Sequence, residues 1–118
     1  MGKGWVGFDL DGTLACYTGW EGPDKIGEPI QPMITLVKDL LAKGTKVKIV
    51  TARVCSKNTP EFIATAKEAI EEWCLKYIGK KLPVTAEKDF SMIEFYDDRA
   101  ITVECNTGKI LVEKEDLL

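Results

Sequence analysis

Phe8-Asp9-Leu10-Asp11-Gly12-Thr13-Leu14 sets two carboxylates two positions apart, directly after the apolar run Trp5-Val6-Gly7-Phe8. The run predicts a strand, and Gly12 breaks it into a polar loop. Asp9 and Asp11 thus emerge at the C-terminal end of a strand, where the ligand crevice of an open α/β sheet lies. Carboxylates this close repel and raise each other's pKa unless a charge neutralises them. A hard divalent cation with oxygen ligands is the natural neutraliser. Asp-x-Asp-Gly alone also reads as a strand-terminal turn, because Asp and Gly favour turns for local reasons. The rest of the chain decides between these readings.

Two further segments end in chemically pointed residues. Lys46-Val47-Lys48-Ile49-Val50 predicts a strand that runs into Thr51-Ala52-Arg53, and Ile93-Glu94-Phe95-Tyr96 predicts one that runs into Asp97-Asp98-Arg99. Adjacent acids after an apolar strand again call for a cation. A parallel sheet would bring all three strand ends to one edge without further design.

The elements between them fit such a sheet. Pro32 and Gly44 bracket a helical apolar pattern over 33–43, and Thr59-Pro60-Glu61 opens a second amphipathic helix over 60–78 that Gly79 ends. Pro83-Val84-Thr85 predicts a short strand, and 101–105 and 109–112 flank Asn106-Thr107-Gly108 as a C-terminal β-hairpin. Strand-helix alternation predicts right-handed crossovers and a mostly parallel central sheet, a Rossmann-like three-layer sandwich. Residues 12–30 form a long loop carrying Tyr17 and Trp20, and long loops in small domains are often functional.

Composition narrows the chemistry. At 118 residues the chain is expected to be one domain. A net charge of −3 with no basic run does not suggest a general nucleic-acid surface. No stretch approaches a membrane span, and no signal-peptide core opens the chain, so a cytoplasmic location is expected. There is no histidine, which excludes Ser-His and Cys-His mechanisms within one chain. Cys16, Cys55, Cys74 and Cys105 form no close pair, so a zinc site is not expected and they read as reduced thiols.

Over nearly its whole length the chain resembles the haloacid dehalogenase superfamily of phosphohydrolases. Four stretches carry the likeness, in order: Phe8 to Leu14, Ile49-Val50-Thr51-Ala52-Arg53, Glu87-Lys88-Asp89, and Tyr96-Asp97-Asp98-Arg99. The resemblance implies that Asp9 is the nucleophile and Asp11 the general acid and base. It implies that Thr51, Ala52, Leu10 and Lys88 hold the phosphoryl group, and that Asp9, Asp11, Asp97 and Asp98 form a magnesium site. Lys80 and Lys81 compete with Lys88, which is preferred because it follows a short strand and precedes the acidic pair. Arg53, Arg99 and Trp20 are expected to contact the substrate beyond its phosphate.

The expected function is magnesium-dependent phosphomonoester hydrolysis through an aspartyl-phosphate, chemistry that asks mainly for positioning and charge neutralisation. Neither insertion point of the superfamily's cap holds enough chain for one. An open site tends to accept a bulky phosphorylated group or to be closed by a second copy of the chain. The paired acids followed by Arg resemble the phosphatase part of polynucleotide kinase-phosphatases, so a nucleotide or polynucleotide end is an alternative substrate. The alternative of another class is a non-catalytic module that binds phosphate and magnesium. Retention of both Asp9 and Asp11 argues against it.

Overall fold

The strand Trp5-Val6-Gly7-Phe8-Asp9 (β1) lies between two neighbours, which explains why four of its five residues are buried. The computed structural model describes residues 4–112. Its other elements are α1 (Gln31–Ala42), β2 (Lys46–Val50), a single 3-10 turn (Ala52–Val54), α2 (Pro60–Tyr77), β3 (Val84–Thr85) and β4 (Met92–Tyr96). The strands form one all-parallel sheet in the order β3-β2-β1-β4. The four strands and both helices fall within two residues of their predicted bounds.

Pleating sends alternate residues to opposite faces. Val6 and Phe8 of β1 share a face with Val47 and Ile49 of β2, their partners in register. Ile34 and Val37 of α1 and Ile70, Trp73 and Cys74 of α2 join these four in one apolar core. Phe8, Ile49, Ile70 and Val37 are sealed completely, each worth about 1.5–3 kcal/mol of burial. Pro32 in its first turn and Gly44 just past its end punctuate α1, and the Thr59 hydroxyl caps α2 by accepting from the Phe62 N–H at 3.2 Å.

The opposite face differs from the expected sandwich. It carries Trp5, Gly7, Lys48 and Val50, and among the described residues no helix covers it. Residues 86–91, between β3 and β4, cross it instead. Asp89 accepts a hydrogen bond from the Trp5 indole N–H at 2.8 Å and lies 3.9 Å from the Lys48 ammonium. The bonds from Trp5 and the Ser91 N–H hold the Asp89 carboxyl below its ordinary value of 3.8. A helix here needs more chain than six residues, so the third layer is replaced by a strap.

The predicted C-terminal hairpin is also reduced. Val103 and Ile110 make one antiparallel bridge around a turn with Asn106 and Gly108 at positive φ. The turn chemistry was readable, but residues 101–112 are exposed and add no strand to the sheet. Among the described residues the cysteines are all free, and no helix is long and apolar enough to cross a membrane.

Candidate active site

The register sets the site. Phe8 of β1 pairs with Tyr96 of β4, so Asp9 and Asp97 follow at the same level. Asp9 pairs with Val50 of β2, so Thr51 follows one step beyond. The Phe8 and Tyr96 rings stack at 4.6 Å and 8°, which fixes the two strand ends side by side. Beyond β1 the chain folds tightly. The Leu10 carbonyl accepts from the N–H groups of Thr13, Leu14 and Ala15, and the Gly12 N–H donates to Ala15 at 2.8 Å. Gly12 sits at φ +93°, and a Cβ there would lie 2.5 Å from Asp98 Oδ2, so glycine is required both for the turn and for the approach of that carboxylate.

Asp9, Asp97 and Asp98 each offer a ligand oxygen, all within 4.8 Å of one another. Asp9 responds strongly. Burial, a hydrogen bond with Asp98 and the charges of Asp97 and Asp98 push its carboxyl from 3.8 up to about 7, partly offset by the Leu10 N–H. Asp97 Oδ2 accepts from the N–H groups of Arg99 and Ala100 at 3.1 and 2.8 Å, which shapes the turn after β4. The Thr13 hydroxyl is buried with no hydrogen-bond partner among the described residues, and Thr13 lines, with Gly12, Asp97 and Asp98, a cavity of about 270 Å³. Three carboxylate oxygens this close could hold a hard divalent cation.

A crevice of about 370 Å³ opens over this cluster. Asp9, Asp11, Thr51, Ala52, Asp97, Asp98 and Arg99 line it, and so do Arg53 and Trp20. The Thr51 hydroxyl accepts from the Arg53 N–H at 3.2 Å and so caps the 3-10 turn. Leu10 contributes only backbone, since its side chain is fully buried.

Three expectations change. Lys88 lies on the strap and is not among the residues lining the crevice. Lys80 and Lys81 border a cavity with Lys46 and Val47, at the start of β2 and so at the edge away from the site. Among the described residues, Arg99 is the cation lining the crevice for which no side-chain partner is seen, while Arg53 is bound to Asp11. Sequence reading also missed Asn58 and Phe62. Asn58 Nδ2 donates to the carbonyls of Ala52 and Arg53, each at 3.1 Å, and Phe62 stacks on Trp20 at 5.9 Å. Their place just before and just inside the first turn of α2, at the same sheet edge, was the available signal. No family model, curated protein or solved structure matches the chain.

Proposed function

We propose that this protein is a magnesium-dependent phosphomonoesterase of the haloacid dehalogenase type, working through an aspartyl-phosphate on Asp9. The observation that carries the reading is the meeting of Asp9, Asp97 and Asp98 within 4.8 Å, beside Asp11 and Thr51 in one crevice. Magnesium held by Asp9 and the acidic pair would screen the attacking carboxylate from the anionic phosphate. Asp9 would attack phosphorus while the ester oxygen leaves and takes a proton from Asp11. Asp11 would then take a proton from the water that releases phosphate and restores Asp9. Thr51, the Ala52 and Leu10 N–H groups and Arg99 would hold the phosphoryl oxygens, Arg99 in place of Lys88. The crevice is open, with Tyr17 and Trp20 half-exposed on its wall, which favours a substrate with bulk beyond its phosphate or closure by a second copy of the chain.

Phosphate release from p-nitrophenyl phosphate, measured with magnesium and with chelator, tests the reading. Activity should require magnesium, and Asp9→Asn should lower it by about 10³-fold or more. Turnover that survives chelation would end the metal assignment. A beryllium fluoride complex bonded to any residue other than Asp9 would end the nucleophile assignment.

A further inference from the structure

Arg53 was expected to reach the substrate, yet each of its five N–H groups is spoken for inside the protein. Nε donates to Asp11 Oδ2 at 2.9 Å and Nη2 to Asp11 Oδ1 at 2.8 Å, a two-pronged pair. The second Nη2 proton goes to the Lys25 carbonyl at 2.9 Å. Nη1 donates to the Pro23 carbonyl at 3.1 Å and, more weakly, to Gly22 at 3.5 Å. The side chain is 5% exposed. Its backbone is pinned as well, through the Thr51 hydroxyl on one side and Asn58 on the other.

The other three acceptors belong to the loop between β1 and α1, which also carries Trp20. The Trp20 ring lies over the guanidinium, 4.8 Å from it to the ring centroid. One planar group therefore grips the Asp11 carboxylate, three loop carbonyls and the aromatic wall of the crevice together. We propose that Arg53 is a positioning residue that ties the orientation of Asp11 to the seating of residues 22–25. The acid/base role rests on the function proposed above; the mechanical tie does not.

The chemistry of the pair supports this role. A guanidinium presents its donors in a rigid fork that matches a carboxylate, and most of the donors left over suit carbonyls in the same plane. Each Asp11 oxygen keeps a second lone pair, which can carry the proton that Asp11 gives to the leaving oxygen and later accept one from water while Arg53 holds the carboxyl group. A lysine has three donors at one point and cannot span the same set. Coupling of this kind is reciprocal: loosening Asp11 must loosen the loop, and loosening the loop must loosen Asp11.

The loop offers a direct probe. Lys25 is the one Lys or Arg between Leu10 and Ile30, so trypsin cuts the loop only after the residue whose carbonyl Arg53 holds. Wild type, Arg53→Lys and Asp11→Asn are compared under native conditions, with thermal melts showing that each is folded. Both variants should be cut after Lys25 about 10-fold faster or more, since each loses charge-assisted bonds to the loop or its anchor. Asp11→Asn is nearly isosteric, which keeps the test open if Arg53→Lys fails to fold.

Kinetics then separate positioning from mere scaffolding. Arg53→Lys should lower kcat about 10²-fold for an alkyl phosphate, which needs a well-placed acid, and less than about 5-fold for p-nitrophenyl phosphate, which does not. Equal losses on the two substrates, or wild-type cleavage rates in Asp11→Asn, would overturn the proposal. A wild type without phosphatase activity would remove the proposed function, and the cleavage rates would still decide whether Arg53 joins Asp11 to the loop.

Discussion

Raising the pH should destabilise the metal-free protein, and magnesium should reverse the loss. The Asp9 carboxyl stands near 7 in the folded chain against 3.8 for an ordinary one, because burial and the neighbouring acids disfavour its charge. Between these values the folded state holds a proton that the unfolded state has released. Stability from this group is therefore complete below about pH 4 and disappears as pH rises through about 7. A displacement from 3.8 to about 7 corresponds to roughly 4 kcal/mol at about 1.4 kcal/mol per pH unit. Asp9 is only half-buried, and solvent screening reduces this to about 2 kcal/mol. In a chain of 118 residues that is a fall in Tm of about 8 °C, spread between about pH 4 and pH 7.

The chain has no histidine, so no imidazole titrates in this window to obscure the slope. Thermal melts in chelator at pH 5 to 8 measure it, and Asp9→Asn should flatten it. Magnesium must displace a proton at pH 5.5 but not at pH 8, so it should raise Tm more at the higher pH. A metal-free Tm that is level or rises from pH 5 to 8, or a slope that survives in Asp9→Asn, would refute the electrostatic reasoning.

Gly12→Ala should cost about 1–2 kcal/mol through its φ of +93° and push the Asp98 carboxylate aside, raising the magnesium concentration at half-saturation in a melt titration by about 10-fold. Trp20→Ala should raise KM about 5-fold or more for a bulky phosphate ester and barely alter it for a small aryl phosphate, as steady-state kinetics would read directly. Equal shifts for both esters would make Trp20 a support for the loop alone.

The sheet was legible because its signals are local. Apolar runs, Pro32, Thr59 and the glycines after each helix mark elements without reference to the rest of the chain. Asp9, Thr51 and Asp97 were legible because parallel strands bring their ends together whatever lies between. The position of Lys88 was not legible because it depends on the route from β3 to β4, and a route across the far face leaves no trace in a short polar segment. Arg53 was taken as a substrate contact because nothing in Thr-Ala-Arg announces that a loop thirty residues earlier supplies three acceptors. Turn residues at 106–108 marked a reversal correctly, but a reversal becomes strands only when something buries its side chains.

The strap also acts as a tether with little slack. Thr85 is level with Val50 and Asp9, and Met92 is level with Trp5. Between them the chain must traverse three strand spacings of about 4.8 Å and return about 13 Å along the strands, about 20 Å on the diagonal. Seven residue steps reach about 24 Å fully extended, and part of that is spent rising over Trp5. The chain thus measures out where β4 begins. The extra residue Ile93, between the pairs Trp5–Met92 and Val6–Glu94, can absorb the loss of one residue from 86–91, whereas losing two would draw the rest of β4 along by one position and exchange its two faces, turning Asp97 and Asp98 away from Asp9. Gaining a residue would only pay out line. Lengthening of this segment is therefore tolerated more readily than shortening, and the acidic cluster depends on a distance set on the other side of the sheet.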